Sequence, residues 1–198
     1  TGHTSRPGIF ASGDVVNGGT DSKIVISDST VGIVKNESTG TVAVLGNSKY
    51  NDTENDEGGT IYIEGQEEAS IEAVNTTTFK QYYSLQEAIN EAEDGETIRL
   101  VNDVILDVPD GTSENTGAIN ISGKNITIDG NGKTITAGNG FSMKEQWEMV
   151  NGKYHMINIM GGSNVTIKNL TVNGGWNAEE DSNAASGSAA RSGINVYT

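Results

Sequence analysis

The sequence predicts an all-β fold, a parallel β-helix with three strands per coil, because short apolar sequence motifs recur in a fixed order. Three motifs recur. The first, Ile119–Ile121, returns as Ile157–Ile159 and as Ile194–Val196. The second, Gly123–Ile128, returns as Gly162–Ile167, and the third, Lys133–Thr136, returns as Asn169–Val172. The copies follow one another at a nearly constant spacing of about 37 residues, which is typical of a solenoid whose coils pair with their neighbours. Each coil carries few inward-facing β-branched residues, so the coils must stack to form a core.

Residues 1–75 are predicted to form a β-rich segment of short strands separated by polar turns. The pattern is clearest at Thr60–Glu64, where Ile61 and Ile63 lie on one face of a strand. The longer repeat does not extend into this segment, which is therefore an irregular solenoid, the end of a preceding solenoid or a small sandwich. The predicted strands span residues 8–11, 23–27, 31–34, 41–45, 60–64 and 69–74.

Residues 84–94 are predicted to form an amphipathic helix that caps the repeats. Ser84 is a suitable N-cap, Glu87 completes a capping-box pattern, and Gly95 follows the end of the helix. One face of the helix is apolar: Leu85, Ala88, Ile89 and Ala92. The open end of a solenoid exposes apolar side chains and unpaired strand edges, so we expect this helix to cover it. The strands predicted next span residues 96–101 and 104–108.

Tyr83–Asn90 and Asp94–Leu100 together resemble the opening of pectate-lyase-like right-handed parallel β-helix domains. The resemblance extends over residues 76–198 and is closest to domains of large, adhesin-like surface proteins of Gram-positive bacteria. It implies that the amphipathic helix covers the N-terminal end of a right-handed coil. The predicted domains are therefore residues 1–75, the β-rich segment, and residues 76–198, a capped β-helix truncated at its C-terminal end.

The composition disfavours several classes of function. The chain has 198 residues with 27 acidic and 12 basic side chains, and its net charge of −15 argues against nucleic acid as a partner. It has no cysteine, hence no disulfide and no thiol chemistry. No apolar run approaches the ~18 residues of a membrane span, so we expect no membrane insertion in this chain. We expect a secreted or cell-surface location, with cell-wall anchoring through other parts of a longer protein.

The acidic stretch 51–57 is a candidate Ca²⁺ site, with Asp52, Asp56 and Glu57 as its ligands. Ca²⁺ takes six to eight oxygen ligands in proteins. The spacing is not that of an EF-hand loop, because two glycines follow the acids and no bidentate glutamate lies further on. A solvated acidic loop without metal is the favoured alternative. No other cofactor is expected.

Two long insertions between the repeated strands, 138–154 and 174–191, carry the candidate ligand-binding residues Trp147, Tyr154 and Trp176. Insertions at equivalent places in successive coils stack on one side of a solenoid, which is often its binding face. Aromatic side chains there would stack on sugar rings, so the expected partner is a glycan or a host-surface ligand. The alternative is that these aromatic rings pack their own loops against the solenoid wall.

The sequence shows no complete catalytic pattern. Polysaccharide lyases on the fold that the chain resembles use carboxylate-bound Ca²⁺ beside an arginine or lysine base. The chain has three arginines, Arg6, Arg99 and Arg191, of which Arg191 best suits that role because acidic residues 179–181 precede it. Glycosidic cleavage by hydrolases needs two carboxylates at a defined separation. No catalytic residue is therefore assigned.

Residues 4–16 are similar to the C-terminal flavin-contacting motif of two-dinucleotide-domain flavoprotein oxidoreductases, in which Asp14 would contact the flavin. No G-x-G-x-x-G fingerprint accompanies the motif, and residues 21–30 lack the apolar stripe of the helix that should follow. A strand that ends in a Ser-Gly-Asp turn explains these residues without a flavin.

These observations favour a non-enzymatic module, structural or adhesive, of a secreted or cell-surface bacterial protein. A solenoid is rigid and has no free edge along its length, which suits projection from a cell. The alternative is a fragment of a polysaccharide lyase or glycoside hydrolase, because this fold carries both kinds of function.

Overall fold

The computed structural model describes residues 13–56, 58–107, 119–138, 156–174 and 193–196. This part of the chain is all-β, with parallel sheets and one short helix. It forms two compact units, Thr1–Glu68 and Ala69–Thr198. The domain boundary predicted from the sequence follows residue 75.

The first unit contains six described strands, which alternate between two sheets along the chain. They are β1 (Val15–Asn17), β2 (Lys23–Ser27), β3 (Ile33–Asn36), β4 (Thr41–Leu45), β5 (Asp52–Asn55) and β6 (Thr60–Ile63). One sheet has the order β1-β3-β5 and the other β2-β4-β6, and every pairing is parallel. A β-sandwich is built from antiparallel sheets, so this pairing contradicts the small-sandwich alternative.

The first unit has a short repeat of its own, which the sequence predictions miss. Val15 pairs with Val34 and Val34 pairs with Thr53, so equivalent positions follow one another at a constant spacing in this sheet. Residues from both sheets form the buried apolar core: Ile26, Val31, Val34, Val42 and Val44. No single strand supplies enough of these residues for a core, so the strands of the two sheets stabilise one another by packing together.

A ladder of asparagine side chains joins the strands β1, β3 and β5 of the first unit. Asn17 Nδ2 donates to Asn36 Oδ1, and Asn36 Nδ2 donates to Asn55 Oδ1, each over 3.0 Å. Asn36 Nδ2 also donates to Gly40 O at 2.8 Å, and Asn55 Nδ2 donates to Gly59 O at 2.9 Å. Asn17 and Asn36 are buried, whereas Asn55 is exposed. The ladder therefore satisfies buried amides that would otherwise disfavour the stack.

The acidic stretch that was expected to be a loop is largely a strand. Asp52–Asn55 forms β5, which pairs in parallel with Ile33–Asn36. Its sequence is polar, so the hydrogen bonds offered by the neighbouring strand outweigh its weak strand propensity. The strand β1 is also missed by the sequence predictions, and the strand predicted at 31–34 lies two residues further on.

The second unit contains one helix and eleven strands among its described residues. They are β7 (Ala73–Asn75), β8 (Gln81–Tyr82), α1 (Leu85–Glu91), β9 (Thr97–Leu100), β10 (Val104–Leu106), β11 (Ile119–Ser122), β12 (Asn125–Asp129), β13 (Thr134–Ala137), β14 (Ile157–Met160), β15 (Asn164–Lys168), β16 (Thr171–Asn173) and β17 (Ile194–Val196). From β9 onward the strands fall in turn into three parallel stacks, β9-β12-β15, β10-β13-β16 and β11-β14-β17. The hairpin of β7 and β8 extends the first stack, and β7 runs antiparallel to β9.

The strands that carry the repeated motifs pair in register, as the spacing of the motifs predicts. Ile119 lies opposite Ile157, and Ile157 lies opposite Ile194. The apolar positions of all three first copies, and of the second copy of Ile119–Ile121, are buried in one cluster: Ile119, Ile121, Ile126, Ile128, Ile135, Ile157 and Ile159. Later positions pack against that cluster while partly exposed: Val165, Ile167, Leu170 and Val172. Ile194 is 41% exposed, because β17 is the last described strand of its stack and no described strand covers it on the far side.

The apolar face of α1 is buried, as predicted. Leu85, Ala88, Ile89 and Ala92 all belong to the cluster formed by the repeated strands. The acidic and amide residues between them are exposed: Glu87, Asn90, Glu91 and Glu93. Ser84 is the N-cap, and its hydroxyl accepts a hydrogen bond from Glu87 N at 3.5 Å.

Two polar side chains tie α1 to the strands. Gln86 Nε2 donates to Asn120 O at 2.9 Å, and Gln86 Oε1 accepts from Asn120 N at 2.6 Å. Since β11 is the first strand of its stack, the Gln86 amide supplies the partner that a preceding strand would supply. Lys124 Nζ donates to Asn90 O at 2.8 Å and to Ala92 O at 2.7 Å, which satisfies carbonyls at the end of the helix.

Tyr82 makes the stability of the helix region pH-dependent. Burial and a hydrogen bond from its hydroxyl to Glu91 Oε2, at 3.2 Å, raise the pKa of Tyr82 to about 12. A raised pKa means that the unfolded chain ionises first, so the stabilisation is complete below pH ~10 and is lost as the pH rises towards 12. Over that interval the free energy of unfolding should fall by about 2 kcal/mol more in wild type than in Tyr82→Phe. Urea denaturation at stepped pH measures this. Tyr83→Phe, at an exposed ring, should follow wild type; equal pH dependence of all three proteins would contradict the prediction.

Candidate functional site

A charged cluster crosses one sheet of the second unit. The register places Arg99 of β9 opposite Asp129 of β12, and Asp129 opposite Lys168 of β15. Asp129 Oδ2 lies 3.9 Å from Arg99 Nε and 3.6 Å from Lys168 Nζ. Ile126 and Ile128 are buried in the core, so the alternation along β12 puts Asp129 on the outer face. Two cations are thus held around one carboxylate.

Two hydrogen bonds also hold the carboxylate of Asp129 in place. Its Oδ1 accepts from Asn131 N and from Asn169 Nδ2, each at 3.1 Å. Burial alone would raise the pKa of Asp129, but these hydrogen bonds and the charges of Lys168 and Arg99 keep that pKa below its usual value. The carboxylate is therefore ionised at neutral pH and occupied by four partners, which suits a positioning role better than proton transfer.

A shallow depression adjoins the charged cluster, where the turn after β12 meets the turn after β15. We call it the turn depression; its lining residues are Asn131, Gly132, Asn169, Leu170 and Thr171, and its volume is about 570 Å³. Four residues separate β12 from β13, but only two separate β15 from β16. This difference in length leaves room between two turns that otherwise stack.

Gly130 allows these two turns to approach. A Cβ at Gly130 would lie 2.5 Å from Asn169 O and 2.6 Å from Leu170 Cα, and both are backbone atoms that cannot rotate away. Gly130→Ala should therefore cost roughly 1–3 kcal/mol of unfolding free energy, as overpacking does. Gly174→Ala is the control, because no atom of the described residues lies within 4 Å of its added Cβ. Urea denaturation compares the two, and equal costs would contradict the close approach.

The candidate ligand-binding aromatics and part of the candidate Ca²⁺ site lie outside the described residues. These are Trp147, Tyr154, Trp176 and Glu57, together with the arginines Arg6 and Arg191. Asp52 begins β5, and its Oδ1 accepts from Thr53 N at 2.8 Å, while Asp56 follows the strand. Within the described ranges, no three His, Cys, Asp or Glu side chains are grouped to hold a metal ion. The Ca²⁺ site stays a prediction.

Asp14 of the flavin-like motif has a structural partner. Its Oδ1 accepts a hydrogen bond from Ile33 N at 2.9 Å, which links the residue before β1 to the start of β3. The strand β2 occupies Lys23–Ser27, where the flavoprotein motif would be followed by a helix. The residues of the motif before Ser12 fall outside the described ranges, as does Ser12 itself.

The charged cluster and the turn depression are missed by the sequence predictions. Arg99, Asp129 and Lys168 belong to equivalent strands, but the stretch of chain between the first two is shorter than the stretch between the last two. A search at one fixed spacing therefore does not bring them together. The feature that could have brought the three residues together is their position, since each is the last or the next-to-last residue of its strand.

Comparison of the chain with protein-family models, with curated proteins and with solved structures finds no match. The resemblance to pectate-lyase-like domains therefore stays a prediction. Among the described residues, no helix is both long and apolar enough to span a bilayer.

Proposed function

We propose that this chain is a non-enzymatic, structural or adhesive module of a secreted or cell-surface bacterial protein. Its second unit would be a right-handed parallel β-helix closed at one end by α1. The observation that carries the proposal is the in-register pairing of successive coils in both units. Such stacking makes a rigid body from short polar strands, which suits a module that supports or presents a binding surface.

The use of acidic side chains supports a structural role. Asp94 Oδ1 accepts from Asn125 N at 3.1 Å, and Asp103 Oδ1 accepts from Thr134 N at 2.8 Å. In the first unit Asp28 Oδ1 accepts from Asn47 N at 3.0 Å. Each of these bonds joins one coil to the next. These carboxylates, which would otherwise be candidates for catalysis, therefore stabilise the stacked strands.

The alternative function, a fragment of a polysaccharide lyase or glycoside hydrolase, needs a free catalytic group. Among the described residues, ion pairs bring an arginine and a lysine to one carboxylate at Asp129. That carboxylate accepts hydrogen bonds from Asn131 and Asn169 and is ionised, so it offers neither a proton nor an open metal position. We therefore prefer the non-enzymatic proposal.

An activity assay tests the choice between module and enzyme. Purified protein should release no unsaturated or reducing ends from polygalacturonate or related glycans over hours, with or without Ca²⁺. Activity that disappears in Arg191→Ala would overturn the proposal in favour of a lyase. Binding to a glycan array or to immobilised host matrix, lost in Trp147→Ala or Trp176→Ala, would support adhesion and place the ligand on the insertions.

A further inference from the structure

The turn depression presents hydrogen-bond acceptors that the described part of the chain does not use. Asn131 Nδ2 donates to Leu100 O at 3.3 Å, and Asn169 Nδ2 donates to Asp129 Oδ1 at 3.1 Å. These bonds fix both amide planes, yet neither side-chain oxygen accepts a hydrogen bond from a described residue. Thr171, exposed on β16, adds a hydroxyl that bonds no described group. A ligand with O–H donors would match these atoms.

The charged cluster places a donor next to these acceptors. The carboxylate of Asp129 binds Asn169 Nδ2 through one oxygen and lies 3.6 Å from Lys168 Nζ through the other. The Lys168 side chain is 51% exposed, so its ammonium keeps N–H donors for a ligand. A hydroxyl both donates and accepts, and a vicinal diol does so twice. Amide oxygens beside an ammonium therefore suit a diol.

The two turns are held in one conformation before any ligand arrives. Asn131 and Asn169 both adopt positive φ, 51° and 53°, in successive turns. Gly132 N donates to Asn169 O at 2.8 Å, and Asn131 N donates to Asp129 Oδ1. A site whose backbone is already ordered loses little entropy on binding.

We propose that the turn depression binds a sugar ring of an uncharged glycan. Its hydroxyls would donate to Asn131 Oδ1 and Asn169 Oδ1 and accept from Lys168, while Leu170 would contact the ring carbons. The volume of about 570 Å³ leaves room for one sugar ring. The net charge of −15 repels polyanions, which favours a neutral ligand. This inference rests on the adhesive half of the proposed function and gives it a site.

The test is an NMR titration of the full chain with single sugars. Glucose, galactose, mannose and N-acetylglucosamine are the neutral probes, glucuronate and galacturonate the charged ones, and glycerol the control for non-specific hydroxyl effects. At least one neutral sugar should shift the backbone amides of Gly132, Asn169 and Thr171 saturably, with a Kd on the order of millimolar, as expected of a shallow single-ring site.

Two variants assign the binding to the turn depression. Asn169→Gly keeps a residue that tolerates positive φ but removes the amide, and it should raise the Kd about tenfold, the effect of losing one or two hydrogen bonds. Thr171→Val breaks no described hydrogen bond and should raise the Kd severalfold with the remaining amide spectrum unchanged. Thr166→Val, on the exposed side of β15 away from the depression, is the matched control and should bind as wild type does.

Each contrary result has a separate meaning. Saturable shifts that map only to other residues would overturn this site and leave adhesion standing. No saturable shift with any sugar would overturn the inference, while the activity assay would still decide between module and enzyme. Tighter binding of the uronates than of the neutral sugars would overturn the ligand class.

Discussion

Leu85→Asp should cost the second unit about 4 kcal/mol or more of unfolding free energy, the largest effect expected of any single substitution on α1. Leu85 has no exposed surface and lies in the cluster shared by the helix and the repeated strands. An aspartate there would be a buried charge without a partner. Its carboxylate must either stay ionised in an apolar site or bind a proton at a large pKa cost.

The measurement is urea denaturation followed by far-UV circular dichroism, with amide hydrogen exchange at Ile98 and Ile128 as a local readout. Leu85→Ala separates lost packing from buried charge and should cost roughly 2–5 kcal/mol. Glu87→Gln, on the exposed side of the same helix, should change stability by less than about 0.5 kcal/mol. If Leu85→Asp melts within about two degrees of wild type, α1 does not cap the core.

Asn36→Asp should cost the first unit about 3 kcal/mol. Asn36 is 1% exposed, and its amide nitrogen donates to Asn55 Oδ1 and to Gly40 O. An aspartate has nearly the same shape but no N–H donor. It would leave two acceptors unpaired and place a charge beside the oxygens it now faces.

The control for Asn36→Asp lies in the same ladder. Asn55→Asp makes the identical change at the exposed rung, where water replaces the lost bond to Gly59 O, and should cost less than about 1 kcal/mol. Denaturation curves of the two variants give the comparison. Equal costs at the buried and exposed rungs would mean that the ladder does not stabilise the stack.

The sequence predicts the second unit well because its repeats are explicit. Copies of one motif begin at Ile119, Ile157 and Ile194, and aligning these copies predicts the strand register. The helix is also predicted well from the sequence, since its apolar face follows the helical period and Ser84 marks its start. The helix is predicted from a pattern within one segment, whereas the strand register is predicted from repeated copies of one motif.

The first unit is harder to predict because its strands are defined by their neighbours. The sequence carries a weak signal of this repeat: Asn17, Asn36 and Asn55 recur at a constant spacing, and Gly40–Val42 returns at the same spacing as Gly59–Ile61. The second sheet weakens it, because the offset between β2 and β4 is one residue shorter than the offset between β4 and β6. The strand β5 has a polar sequence that favours a loop in isolation.

The candidate site is harder still, because it depends on turns of unequal length. Asn131 is the second residue after β12 and Asn169 is the first after β15, so their proximity is visible only once the strands are aligned. Sequence reasoning instead favoured aromatic residues in the insertions, since large rings are a stronger compositional signal than amides. Amides at turns are ordinarily explained by turn geometry alone.

Engineered cysteine pairs test the stacked coils most directly, and the chain has no cysteine of its own to interfere. Thr127 lies opposite Thr97 on one side and Thr166 on the other, so paired strands place each couple about 5 Å apart. Disulfides form when Cα atoms are roughly 4.4–6.8 Å apart.

Thr97→Cys with Thr127→Cys, and Thr127→Cys with Thr166→Cys, should each oxidise to a monomeric disulfide. Thr97→Cys with Thr166→Cys, two coils apart, should stay reduced. Ready oxidation of that last pair, or failure of both adjacent pairs in folded protein, would contradict the stacked parallel coils.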